Sequence, residues 1–328
     1  MMENVHELNN VYVTGDHGII LSDTLEYIPL PVSLNKLRSY GRPLEQTQTC
    51  ITNTIHKLQE TNYTLNVVNE PCCYMRSNYN IYPFGHLYDT LQYMYDYEHA
   101  GLNKVSWLTG RITSHIKHLK EHFKIFGGSD YITTEPGEIY YIKKLYVSAH
   151  ETFPSQFDPK KIGWIKNKYI KYYNQYITPQ HEQRLDNIYK NYKNSNNSNR
   201  LILYLHRDNV TRGVTNITKV MKYLQDVNAL IISGKTLSDM SLPMTIGLFN
   251  QADILIGPHG SMFRNAMYVN NPRDLICHEW CPVNRKDVTI INAMKSCGVD
   301  NYTQTLVPGD DQFNITIPIH QIKEIIND

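Results

Sequence analysis

The sequence predicts an α/β protein made of two domains, and three observations lead to that prediction. The chain has 328 residues, 41% of them hydrophobic, which is longer than one ordinary core and apolar enough to pack two. Beyond residue 200, apolar runs alternate with helical stretches about every 25 residues, the rhythm of a doubly wound parallel sheet. Before residue 190, strand and helix patterns also alternate, and the polar stretch NYKNSNNSNR at 191–200 separates the two halves. The expected domains are therefore 1–190 and 191–328.

The first segment, NVYVTGDHGIILSD, reads as a hairpin. Its β-branched runs flank Gly15-Asp16-His17-Gly18, a turn whose two glycines accept positive φ. A helix over 44–61 and a strand over 63–68 follow. Leu87, Leu91 and Met94 or Tyr95 recur at helical spacing, so an amphipathic helix begins near Gly85. Residues 104–109 read as a buried strand. The stretch 114–126 reads as a helix stopped by Gly127-Gly128, and 138–147 as a strand. This alternation suggests a largely parallel first sheet. Residues 158–192 are rich in Lys and Tyr and helical in character. Lys160, Lys161, Lys166, Lys168 and Lys171 are expected to form a solvated helix face.

The pattern changes after residue 200. Leu201–Leu205 is continuously apolar, the mark of a strand buried on both faces. A helix over 217–225, a strand over 229–233, a helix over 243–251 and a strand over 253–256 follow. A helix from Ser261, a strand over 275–278 and a final amphipathic helix over 319–327 complete the series.

Composition narrows the function classes. The 32 basic and 31 acidic residues nearly cancel, which argues against a dedicated nucleic-acid binder. Six cysteines do not form a disulfide framework, and the vicinal Cys72 and Cys73 bridge each other only with strain. Cys277 and Cys281 flank His278 and Glu279, but no second Cys/His pair stands at zinc-ligand spacing, so no metal is expected. The N-terminus lacks a basic-then-apolar leader and no 18-residue apolar run occurs, which sets the expectation of a cytoplasmic chain without a membrane anchor.

Two segments carry chemistry. In ADILIGPHGSMFRNAMYV a buried strand ends at Gly257, a tight turn follows, and a helix opens after Gly260. Helix-end N–H groups and the helix dipole favour an anion there, above all a diphosphate, with His259 as a further donor. The same spacing also suits a plain strand–turn–helix with a hydrogen-bonded histidine. In HRDNVTRGVTN, Arg207 and Arg212 follow the 201–205 strand, at the carboxyl end where open α/β sheets bind ligands. Arginine's fork of donors suits phosphate. No Gly-x-x-x-x-Gly-Lys-Ser/Thr and no Gly-x-Gly-x-x-Gly is present, so neither a Walker loop nor a dinucleotide fingerprint is expected.

The order of these motifs resembles glycosyltransferase family 61. FGHLYDTL at 84–91 is similar to the family's Asn-Tyr-Tyr-His-Trp-x-x-Asp-x-Leu segment through His86, Asp89 and Leu91. Arg207, Arg212 and Asn216 resemble its Arg-x-x-x-x-Arg-x-x-x-Asn element, and GPHGSMFRNAMYV its Gly-x-His-Gly-Ala-x-Leu-x-Asn-x-x-Phe segment. Glu279 falls where the family has a strand-terminal glutamate. Leu87 replaces a Trp, a Pro-Arg is absent after Leu91, and Arg264 stands where small or polar residues are commoner.

The resemblance implies a GT-B-like fold, two Rossmann-like domains facing across a cleft, with the donor bound mainly in the C-terminal one. It implies an inverting transfer from a nucleotide sugar, a UDP-sugar above all, to a glycan or glycoprotein acceptor. His86 and Asp89, one helical turn apart, are the expected catalytic pair. Arg207, Arg212, Asn216, Gly257, His259, Gly260, Ser261, Asn265 and Glu279 are the expected donor-binding set. Within it, Glu279 accepts from a ribose while Asn216 and Asn265 hold the loops. No Asp-x-Asp motif suggests Mn²⁺ or Mg²⁺, so the nucleotide sugar is the only co-substrate expected. The sequence leaves open a non-catalytic glycan-binding or structural protein with the same shell, and a sugar epimerase.

Overall fold

The computed structural model describes residues 4–15, 18–28, 44–60, 62–75, 83–110, 119–127, 130–149, 157–193, 199–207, 212–285 and 289–327. At 44–47, 83–90, 110, 119, 120, 123 and 289 it describes the backbone alone. The chain divides into two compact units, Met1–Gln156 and Phe157–Asp328.

The first unit is built on a mixed sheet. Its order is β2 (Ile20–Leu21), β1 (Val5–Thr14), β7 (Ile139–Ser148), β4 (Cys72–Tyr74), β5 (Ser106–Gly110) and β6 (Tyr131–Thr134). β3 (Asn66–Val68) pairs with the start of β7. β1 runs antiparallel to both β2 and β7, while β3 to β7 are mutually parallel. The expected hairpin is present, closed by Gly18 N donating to Thr14 O at 3.1 Å, with Gly18 at φ 62°. Asp16 and His17 lie outside the described residues. The largely parallel sheet expected here thus carries an antiparallel margin. That margin is the hairpin itself, since a short turn joins only antiparallel neighbours.

Helices α1 (Leu44–Gln59), α2 (Pro83–His99) and α3 (Leu119–Ile125) connect these strands. α2 buries Leu91, Tyr93, Met94 and Tyr97, and the Tyr97 hydroxyl donates to Tyr74 O at 2.7 Å. That bond ties the helix to β4. Val11, Val13, Leu108 and Ile142 centre the core.

The second unit begins with α4 (Pro159–Tyr176) and α5 (Pro179–Ile188). The sequence reading ran these as one helical stretch within a domain ending at 190. Two features separate them: Ile177 is extended, and Pro179 starts a new helix capped by Thr178. Both pack within the second unit, where Tyr169 meets Tyr268 edge-on at 5.1 Å between ring centroids. The lysine face is only partly solvated. Lys161 is 6% exposed, and Lys166 Nζ donates to Val269 O at 2.6 Å. Lysine stems can cover apolar surface while the amine reaches a partner, as Lys166 does.

The second sheet is wholly parallel, in the order β12 (Tyr302–Val307), β11 (Ile276–Pro282), β10 (Ile254–Pro258), β8 (Ile202–His206) and β9 (Leu230–Ser233). Counted from its own first strand the order is 2-1-3-4-5, a doubly wound topology that changes direction between β8 and β10. On one face, α6 (Ile217–Asp226) and α10 (Ile319–Asn327) pack on Tyr204, Ile254, Ile256 and Trp280. Trp280 is fully buried and its indole N–H donates to Gln321 Oε1 at 2.8 Å. Alternate residues turn to the other face, as a strand requires. There the Cys277 thiol meets Met294 of α9 (Thr289–Ser296), and α8 (Leu242–Asn250) packs beside a 3₁₀ helix, Ser261–Tyr268. The short α7 (Gly234–Asp239) opens on a capping box at Ser233. Among the described residues, no helix is long and apolar enough to cross a membrane.

Candidate functional site

The winding reverses between β8 and β10, the point at whose strand ends open α/β sheets bind ligands. Both chemical segments sit there. β8 ends at His206 and is followed by Arg207; β10 ends at Pro258 and is followed by His259 and Gly260. Arg207 Nη1 donates to His259 O at 3.0 Å. A Cβ on Gly260 would stand 2.9 Å from that Nη1, so any side chain there must displace the guanidinium. Its φ of 177° is extended backbone that any residue adopts. At Gly257 a Cβ would lie 2.6 Å from Leu205 O, inside the β8–β10 pairing. One glycine therefore serves the guanidinium and the other the sheet.

Arg207 is only partly satisfied: among the described residues its buried Nε has no partner. Burial, with Arg212 and Arg285 nearby, pushes its pKa from 12.5 down to about 10. A part-buried guanidinium with an open donor among like charges suits an anion.

Arg212 is itself held in the left-handed region, φ 61°, with its N–H on Gln312 O at 3.0 Å. A non-glycine residue adopts that conformation only when its surroundings impose it. Here the neighbouring Gly213 N also donates to Asn314 Oδ1 at 2.7 Å.

His259 is 4% exposed, and its Nδ1 lies 2.6 Å from Oε1 of the fully buried Glu279. A carboxylate accepts, so Nδ1 carries the proton and the tautomer is set. Glu279 Oε2 accepts from the Tyr302 hydroxyl and, at 2.8 Å, from Gln304 Nε2. Register explains the grouping. Gly257 pairs with Glu279 and Glu279 with Gln304, while His259 lies two residues after Gly257 and Tyr302 two before Gln304. Burial and the Glu279 charge drive the Tyr302 pKa up, which keeps it a hydroxyl donor. Glu279, expected to accept from a ribose, accepts here from protein donors. Both its oxygens serve protein donors, and its place is behind His259.

The helix after Gly260 is a 3₁₀ helix, where the sequence predicted an ordinary helix. Its first bond runs from Phe263 N to Gly260 O at 3.3 Å, so the N–H groups of Ser261 and Met262 precede the ladder. Ser261 is exposed at this end. Asn265 Nδ2 donates to Met262 O at 2.9 Å and braces the turn. Asn216 holds Ile317 from both sides, Nδ2 to Ile317 O at 2.8 Å and Ile317 N to Oδ1 at 3.0 Å. Both asparagines therefore brace backbone segments. Arg264 is 4% exposed over the Phe157 ring, with Nε and Nη1 unpartnered.

His86 and Asp89 fall in the first turns of α2. Their side chains lie outside the described residues. Sequence reasoning missed Tyr302 and Gln304, the donors that hold Glu279. The alternation in YTQTLV at 302–307 was the available signal for β12, but its polar residues masked the strand.

No curated protein matches the chain. The family model described as Glycosyltransferase 61 matches residues 48–276, which spans α1 through the first residue of β11 and includes Arg207, Arg212, Asn216 and the Gly257–Asn265 segment. The chain belongs to glycosyltransferase family 61.

Proposed function

We propose that the chain is an inverting, metal-independent glycosyltransferase of GT-B architecture that moves a sugar from a UDP-sugar to a glycan or glycoprotein hydroxyl. The observation that carries the donor half is the convergence at the β8/β10 reversal of Arg207, with its open buried Nε, and His259, backed by Glu279. The donor diphosphate lies against Arg207, Arg212 and the N–H groups that open the 3₁₀ helix at Ser261. His259 Nε2 faces the phosphate oxygens, its ring oriented by Glu279.

In a single displacement the acceptor oxygen forms its bond to the anomeric carbon as the bond from that carbon to the diphosphate oxygen breaks. The acceptor proton passes to the His86/Asp89 pair, and the negative charge of the leaving diphosphate falls on the arginine and histidine groups. Cationic side chains and fixed dipoles stabilise that charge most where water is excluded.

The test is UDP release from a panel of UDP-sugars, with and without glycan acceptors, with Arg207→Ala as the control. Acceptor-dependent release that the substitution abolishes supports the reading. Glycan binding with no turnover of any donor sinks it in favour of a non-catalytic shell. Release of UDP without any acceptor points to an epimerase.

A further inference from the structure

The family match ends at residue 276, so Glu279, Tyr302 and Gln304 all lie beyond the matched span. β11 supplies Glu279, which is fully buried, and the neighbouring β12 supplies Tyr302 and Gln304. A buried carboxylate has to be held by donors, and Glu279 has three. His259 Nδ1 lies 2.6 Å from Oε1, while Oε2 accepts from Gln304 Nε2 at 2.8 Å and from the Tyr302 hydroxyl. One oxygen therefore faces the histidine, and both β12 donors converge on the other.

A carboxylate spreads one negative charge over two oxygens, so donors on Oε2 draw charge away from Oε1. While His259 is neutral, this group holds that charge by hydrogen bonds, and each donor counts fully. Once His259 is an imidazolium, the ring itself offsets the charge. The Tyr302 hydroxyl thus favours the neutral-histidine state and lowers the pH at which His259 takes its second proton. The hydroxyl keeps its own proton, because burial and then the Glu279 charge drive Tyr302 well above its ordinary value.

Other titratable groups face the pair. On β11, burial pushes Cys277 well up and His278 down to about 4, and Arg207, bonded to the His259 carbonyl, falls to about 10. All three midpoints lie outside roughly pH 5 to 9, the range around an ordinary histidine. The Cys281 thiol lies on the Arg285 carbonyl at 3.5 Å. Asp208 falls outside the described residues. Both are present in every protein compared below.

We propose that Tyr302 is a positioning residue that acts through Glu279 on His259 and sets the pH range in which His259 Nε2 carries a proton for the leaving diphosphate. This rests on the donor-site reading above. In the neutral ring, with the Nδ1 proton on Glu279, Nε2 is an acceptor; in the imidazolium it donates to a phosphate oxygen. Charge builds on the diphosphate as its bond to the sugar breaks, so the proton matters to turnover more than to binding.

The experiment is NMR of the imidazole nitrogens in the ligand-free chain carrying isotope-labelled histidine, from roughly pH 5 to 9. His259 signals are assigned by their loss in His259→Gln. Wild type, Tyr302→Phe and Gln304→Met are compared, and thermal melts verify folding. The midpoint at which His259 gains its second proton is expected to rise by about one unit in Tyr302→Phe and by less in Gln304→Met. The high-pH limb of kcat for UDP release from UDP-glucose, UDP-xylose or UDP-N-acetylglucosamine is expected to move up by the same amount, with KM little changed.

An unchanged His259 midpoint in the folded variants, or no titration of His259 in that range, overturns the inference: Tyr302 and Gln304 then only satisfy a buried carboxylate. A shifted midpoint with an unmoved kcat limb overturns the role given to the proton. No UDP release from any of the donors by the wild-type chain removes the donor-site reading and that role with it, while the NMR still decides whether Tyr302 governs His259.

Discussion

Replacing Arg207 with methionine should abolish anion binding at almost no cost to the stability of the ligand-free protein. Two terms set the magnitude. The substitution removes the hydrogen bond from Nη1 to His259 O at 3.0 Å, a charged donor on a carbonyl worth ~1.5–3 kcal/mol. It also removes a charge that the folded protein disfavours. The fall of the Arg207 pKa from 12.5 to about 10, caused first by burial and then by Arg212 and Arg285, corresponds to ~3 kcal/mol against the charged form. Partial solvent access trims that penalty, so the two terms cancel to within about 1–2 kcal/mol. Methionine keeps the stem's packing and leaves no large void.

The assay is denaturant unfolding of both proteins without ligand, followed by thermal melts with increasing UDP. Wild type should gain melting temperature with UDP and the variant should not, while their ligand-free unfolding free energies agree within about 2 kcal/mol. A ligand-free loss clearly above that would show that Arg207 is a structural residue. An undiminished UDP shift in the variant would refute the anion-site argument altogether.

Glu279→Gln should reduce turnover with little loss of nucleotide binding. An amide beside His259 Nδ1 no longer sets its tautomer, while the Tyr302 and Gln304 donors keep one oxygen to bind; steady-state kinetics with UDP titration checks this. Gly257→Ala and Gly260→Ala should separate fold from function. The first sets a Cβ 2.6 Å from the Leu205 backbone oxygen and should lower the melting temperature; the second displaces a movable guanidinium at 2.9 Å and should weaken UDP binding. Equal stability losses in the two variants would contradict this division.

His278 adds an acid-sensitive term. Burial depresses its pKa from 6.5 to about 4, so its stabilising contribution is complete above about pH 6.5 and is lost as pH falls towards 4. His278→Gln should flatten the stability–pH profile between those values by at most ~3 kcal/mol in urea unfolding. An unchanged slope would exclude His278 as its source.

Sequence alone determined the strands and turns that carry the arginine and histidine segments. Continuous apolar runs such as Leu201–Leu205 and Ile254–Ile256 have one solution, a strand covered on both faces, and glycines at 257 and 260 mark where chains must approach closely. The reach of α4 and α5 into the second unit was not legible, because a Lys/Tyr-rich helix shows its apolar stripe but not the partner of that stripe. Nor was β12, whose polar alternate residues turn out to serve a buried carboxylate.

Tertiary structure decided what each residue does. Strand order places Arg207 beside His259 across 52 positions of sequence, and parallel register sets Tyr302 and Gln304 behind Glu279. Those are long-range pairings, set by which strands lie side by side, and local sequence carries no record of them. For the same reason local sequence carries no sign that Glu279 stands behind His259, a pairing set by the β10–β11 register.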